Sequence, residues 1–226
     1  MEEALSLIGL GWFQVPPIVT TLLIQGSYAT QHVATVFTDM PRHFKCYTGP
    51  DDDEYSTSFN NSCYIRNLSD TSSMISKEHL CKEFVYDNTL FDSTFSSEYN
   101  LVCEKSWLSG VFKTSGLIGV IFGCFFTGLG DKWGRVYVMQ ATTLLYLISV
   151  LVVGLVPEII SIIIARFVVG FCYEILNGTS FTLMMEVLPL TYRSPVGAVV
   201  SNLGNSFFAL FIGTVSYFIR SWRILH

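Results

Sequence analysis

Long apolar runs alternate with short polar turns along most of this chain, and one extended polar block interrupts them. Five stretches are apolar over roughly the length that a helix needs to cross bilayer hydrocarbon, about 20 residues. They run from Val15 to Phe37, Trp107 to Leu129, Val136 to Val156, Ile159 to Met185 and Val196 to Ile219. Each predicts a transmembrane helix, the first diluted by Thr and Gln. The turns at Asp131–Arg135, Pro157 and Pro189–Ser194 are short, so consecutive spans run antiparallel.

Composition agrees with lipid as part of the solvent. Apolar residues make up 50% of the 226 positions and charged ones 14%. Mean hydropathy is +0.47, above the usual range of soluble domains. Most charges fall between Asp39 and Lys105, and the net charge of -5 comes from that block. A basic groove is absent from the sequence, so the bilayer is the expected partner and nucleic acid is not. The acidic start, Met1-Glu2-Glu3, lacks the basic region of a cleaved signal peptide. No metal-ligand cluster, nucleophile–base pattern or phosphate loop is found, which predicts no metal, no cofactor and no enzyme activity.

The polar block, 38–106, carries four cysteines, Cys46, Cys63, Cys81 and Cys103, and sequons at Asn60 and Asn67. Sequons are read on a lumenal face, and small polar segments without a core rely on disulfide staples. Two disulfides with three allowed pairings are expected, unpaired thiols being the alternative. An outer block sets the topology. Residues 1–37 form a cytoplasmic N-terminus and the first span. Residues 107–226 form a four-span bundle whose inner turns hold Lys132, Arg135 and Arg193, as the positive-inside rule favours.

Polar residues inside the spans are candidate functional positions, because a charge at membrane depth is costly. The fourth stretch carries Arg166, Gly170, Glu174, Asn177 and Gly178 at steps of three and four, near one helical face. Glu174 falls near the midplane, where it is expected to attract cationic groups. The alternatives are a pair with Lys113 or a neutral carboxyl. Gln25 and Tyr28 of the first stretch, Phe181 of the fourth, and Asn202 and Asn205 of the fifth are further cavity candidates. Gly119 and Gly123 form a GxxxG pair suited to close helix contact. Asp131, Lys132, Gly134 and Arg135, with Glu186 and Arg193, form a candidate inner charge network.

These positions carry a family resemblance. Gly128-Leu129-Gly130-Asp131-Lys132-Trp133-Gly134-Arg135 resembles the inner signature between helices two and three of the major facilitator superfamily. Thr127 stands at its leading glycine, and Val136 at its second basic position. Arg166 with Gly170, and Glu186 with Arg193, resemble two further signatures of that superfamily. Phe84-Val85-Tyr86-Asp87, Glu98-Tyr99-Asn100-Leu101-Val102-Cys103 and Tyr217-Phe218-Ile219-Arg220 with Trp222-Arg223 resemble solute carrier family 22, the organic cation, carnitine and organic anion transporters.

The resemblance implies an all-α membrane protein, here the N-terminal half of a twelve-helix carrier with about five transmembrane helices and a large outer loop. It implies a plasma-membrane location, a small organic ion as substrate, alternating access, and a C-terminal half as partner. Glu174 favours cations or zwitterions. The chain alone is expected to show no saturable transport. A sugar-type facilitator and a non-transporting truncated membrane protein are the rival readings; the long cysteine-bearing loop argues against the first.

Overall fold

Residues 11–38, 43–46, 63–66, 78–80, 84–86, 93–219 and 221–225 are described by a computed structural model. A 3-10 turn, Trp12–Gln14, leads into helix α1, Val15–Thr38. Pro16 and Pro17 occupy the first turn of α1, where backbone N–H groups have no intrahelical acceptor to lose. Several threonines of α1 hand their hydroxyl protons back to the preceding turn: Thr20 to the Pro16 carbonyl (2.8 Å), Thr21 to Pro17 (2.9 Å) and Thr35 to Gln31 (2.7 Å). Their polarity is thus satisfied within the helix.

The polar block contributes four three-residue strands, which the apolar pattern did not predict. Strand β1 (Phe44–Cys46) is followed by β2 (Tyr64–Arg66), β3 (Glu78–Leu80) and β4 (Phe84–Tyr86). β1 pairs antiparallel with β4 and β2 with β3, as two separate ribbons. A Cys63–Cys103 disulfide staples the start of β2 to the entry of the next long helix. Cys46 lies in β1. Cys81, Asn60 and Asn67 lie outside the described residues.

The short helix α2 (Phe95–Glu98) opens on a reciprocal cap: Ser97 N–H donates to the Thr94 hydroxyl (3.2 Å), and Thr94 N–H to the Ser97 hydroxyl (2.9 Å). The bundle follows as α3 (Ser106–Cys124), the short α4 (Leu129–Trp133), α5 (Arg135–Leu155), α6 (Ile159–Val187), α7 (Leu190–Phe218) and the short α8 (Trp222–Leu225). Two boundaries differ by more than two residues from those expected. The second apolar stretch stops being helical at Cys124, five residues early, because Phe125 and Phe126 bond to the carbonyls of Phe122 and Gly123 and tighten the last turn. The fifth helix begins at Leu190 rather than Val196. Its break is Leu188–Pro189, where the residue before proline is held extended at ψ 138°.

Four described helices are long and apolar enough to cross a membrane: Cys103–Cys124, Arg135–Leu155, Ile159–Val187 and Leu190–Phe218. α1 is a 24-residue helix but, with its Thr and Gln content, is not one of these four. Large apolar side chains such as Leu144, Leu151, Phe207 and Leu210 point outward, as lipid-facing surface requires.

α6 is the centre of the bundle, packed on α3, α5 and α1, while α7 packs on α1. Glycines make the α3–α6 contact. A methyl group on Gly119 would strike the Phe167 carbonyl, and one on Gly170 would strike the Gly116 carbonyl. Without a hydrophobic effect between helices in lipid, such close backbone approach is what holds a pair together.

Candidate functional site

A polar seam runs along the α1–α6 contact. The two helices are antiparallel, so partner numbers rise on one as they fall on the other. Gln14 Nε2 donates to the Val187 carbonyl (3.3 Å) and Thr21 Oγ1 to the Ser180 carbonyl (3.2 Å). Gln25 Nε2 donates to Asn177 Oδ1 (2.6 Å), and Tyr173 OH donates to Gln25 Oε1 (3.3 Å). Tyr28 stacks on Tyr173 with centroids 3.8 Å apart. Towards the C-terminal end of α1, Arg166 donates to Gln31 Oε1 (3.0 Å) and to the Thr35 hydroxyl. Three sequence-predicted residues, Gln25, Tyr28 and Asn177, are therefore brought together, and Arg166 closes the same row.

The seam opens into a cavity of about 310 Å3 between α1, α3 and α6. Its wall includes Tyr28, Gln31, His32, Lys113, Arg166 and Gly170. Arg166 is 6% exposed and lies over the Phe112 ring, 5.0 Å from its centroid.

The other predicted residues stand elsewhere. Glu174 lies against α3, where a methyl on Gly123 would meet its Cβ at 2.8 Å, with the Cys124 thiol beside it. It is not part of the cavity wall. Phe181 packs with Met184, Leu188 and Val200 between α6 and α7. Asn202 is exposed and returns its amide to the Ala198 carbonyl (2.8 Å). Asn205 is also exposed. What α7 turns towards α1 is Gly204, which abuts Gln25 and Leu22.

Between α4 and α5 the chain reverses at Gly134, whose φ of 91° favours glycine. This turn presses on α6: a methyl on Gly130 would meet Thr179 at 3.2 Å. Arg135 Nη2 pairs with Asp131 Oδ1 (3.1 Å), and its Nη1 pairs with Glu186. Arg193 donates from Nε to the Leu188 carbonyl (2.9 Å), a helix-break contact. Asp131, Arg135 and Glu186 thus converge. Gly134 shapes the turn that carries Asp131 and Arg135, and Lys132 is exposed beside it.

A second polar cluster, beside the α5–α6 turn, joins Glu98 and Tyr99 to Trp222 and Arg223, residues that stood out in the sequence only as parts of separate family motifs. Glu98 of α2 accepts from Arg223 Nη2 (2.5 Å) and Nε (3.1 Å) and from Trp222 Nε1 (2.6 Å). Arg223 also reaches Tyr99 OH (3.2 Å) and the Gly154 carbonyl (3.3 Å), while Tyr99 OH donates to the Pro157 carbonyl (2.7 Å). Phe95, fully buried, stacks on Phe112 at 4.1 Å and meets the edge of Trp222. One latch therefore joins the end of the polar block, the α5–α6 turn and α8. Burial raises the Glu98 carboxyl, but the Arg223 and Trp222 hydrogen bonds and the Arg223 charge outweigh it and hold it below its ordinary range. Its partners lie 124 and 125 positions away, a distance no periodicity announces.

Comparison with known proteins fits this geometry. The sugar (and other) transporter family profile matches residues 54–225. An organic cation transporter protein of Drosophila melanogaster is 30% identical over 146 residues, 64% of this chain and 26% of its own length. Solute carrier family 22 member 20 of Mus musculus is 32% identical over 149 residues, 64% of this chain and 26% of its own. Solute carrier family 22 member 1 of Bos taurus aligns at 23% identity with 100% of this chain and 46% of its own length. The chain thus spans between about a quarter and a half of these relatives. It belongs to the sugar (and other) transporter family, within the major facilitator superfamily, where its likeness is to solute carrier family 22.

Proposed function

We propose that this chain forms the N-terminal half of a multi-pass plasma-membrane carrier that moves small organic ions by alternating access. The observation that carries the reading is the polar α1–α6 seam opening into a cavity inside an otherwise apolar bundle. Buried polar groups are costly in lipid and persist where they serve a substrate path or a helix contact. The substrate crosses between α1, α6 and the facing half, as carriers of this architecture place their sites at the boundary of repeats. Gln25, Tyr28 and Asn177 line the path deep in the bundle. Glu174, two turns inward from Arg166, supplies a negative charge for cationic or zwitterionic groups. Phe181, Asn202 and Asn205 serve the side of the path towards α7.

The Asp131–Arg135–Glu186 cluster, with Lys132 and Arg193 nearby, acts as an inner gate that breaks and reforms between conformations. The block 38–106 is an outer loop, glycosylated at Asn60 and Asn67. The relatives named as transporters of organic cations support the substrate class.

Uptake of radiolabelled organic ions into proteoliposomes tests this. The chain alone is expected to give no saturable uptake. Joined to a sixth helix and a second six-helix half from the same family, it is expected to give saturable uptake that unlabelled ions compete. Saturable uptake by the chain alone, or none by the joined protein, overturns the proposal.

A further inference from the structure

We propose that the outer cavity between α1, α3 and α6 is an anion subsite that takes the carboxylate, or a similar oxyanion, of an organic substrate. The inference rests on the carrier reading and assigns one part of its path. Three nitrogen-bearing side chains from three helices converge there: His32 of α1, Lys113 of α3 and Arg166 of α6. None of the described residues in the wall is acidic. Arg166 keeps its charge at any physiological pH, and among the described residues it pairs with neutral oxygens, those of Gln31 and Thr35. Among the described residues its buried Nε has no hydrogen-bond partner. A buried donor left open costs stability, and a charged acceptor satisfies it better than a neutral one.

The rest of the wall sets the size and class of ligand. Val36, Leu117 and Val169 supply an apolar side, and about 310 Å3 falls at the small end of organic ligand pockets. A bare halide would leave that side unfilled, whereas an aromatic or aliphatic carboxylate covers it. The nearest acidic position on α6, Glu174, is eight residues inward, about 12 Å of helix rise.

The test uses the 226-residue chain in lipid nanodiscs. Radiolabelled benzoate is the anion probe, tetramethylammonium the cation control and excess chloride the competitor. Benzoate is expected to bind saturably, and Lys113→Gln to weaken it about tenfold, the loss of one charge-assisted hydrogen bond. Arg166→Lys, which keeps the charge but not the fork, is expected to weaken it as well. Lys113 sits at an exposed position, so Lys113→Gln decides the matter if Arg166→Lys fails to fold. Photolysis with 4-azidobenzoate is expected to label peptides containing residues 113–117 or 166–170. Absent saturable benzoate binding, unchanged affinity in Lys113→Gln, or full displacement by chloride overturns the subsite. Uptake of organic ions by the joined carrier separates the outcomes. Uptake without benzoate binding removes the subsite alone, and loss of all uptake removes the carrier reading.

Discussion

Replacing Gly119 with alanine is expected to separate α3 from α6. The added methyl would lie 2.9 Å from the Phe171 nitrogen and 3.0 Å from the Phe167 carbonyl carbon, and closer still to the Phe167 oxygen. All three obstacles are backbone, so no rotamer change relieves them. Ordinary contact begins near 3.4 Å, so the Phe171 nitrogen alone requires about 0.5 Å of separation and the Phe167 oxygen more, and a gap of about 0.5–1 Å forfeits a quarter to a half of the contact energy of the atoms lining it. Overpacking of this kind costs roughly 1–3 kcal/mol, and backbone obstacles place Gly119 at the upper end. Against this, alanine gains about 1 kcal/mol over glycine in a helix interior. The net loss is about 2 kcal/mol, or roughly thirtyfold in the folding equilibrium. Gly110→Ala and Gly213→Ala isolate the propensity gain, since a methyl at either meets nothing within 4 Å. Unfolding by dodecyl sulfate in mixed micelles, followed by circular dichroism, gives the comparison. Equal stability of Gly119→Ala and Gly110→Ala would refute the close-packed interface.

Three further outcomes follow from the ends of the bundle. Glu98 has a native carboxyl pKa below its ordinary value, so its contribution is present above the unfolded-state pKa, about 4.3. It is lost as pH falls through the lower native value; protease protection of α8 should show that acid step, and Glu98→Gln should remove it. Replacing Cys63 and Cys103 with serine opens a link between residues 40 positions apart, worth about 4 kcal/mol of chain entropy; thermal unfolding with and without reductant measures it. Asp131 and Glu186 are 70% and 57% exposed in their side chains, so a double-mutant cycle between Arg135→Ala and Glu186→Gln should give a coupling of only about 0.2–1 kcal/mol. Such weak pairing suits a gate that has to open.

The sequence made the helices legible because an apolar run of membrane length has few alternatives in lipid. Short-range grammar was legible too: Asp131, Gly134 and Arg135 sit in one turn, and Glu186 lies on the helix packed against it. The α1–α6 row was visible only in part. Gln25, Tyr28 and Asn177 stood out as polar residues in apolar helices, but the Gln25–Asn177 and Gln25–Tyr173 bonds, the Tyr28–Tyr173 stack and the Thr21–Ser180 and Arg166–Thr35 bonds depend on an interhelical register that one sequence does not encode. Glu174 carries the same lesson. Its face of α6 was readable, yet the glycines of α3 draw that helix close enough to lie beside it, away from the cavity. The four strands escaped notice because three-residue pairs in a polar block leave no alternation to read. The Glu98–Arg223 latch joins positions too far apart in the chain for any pattern to link them.

Sidedness tests most directly the claim that these helices span a bilayer with the Arg135 cluster inside and the Glu98 latch outside. Single cysteines at Glu158 and Lys132, in a chain carrying Cys124→Ala, can be probed with a membrane-impermeant maleimide on cells. Glu158→Cys should label in intact cells, and Lys132→Cys only after permeabilisation. Equal labelling of both from the same side would contradict the bundle and, with it, the carrier.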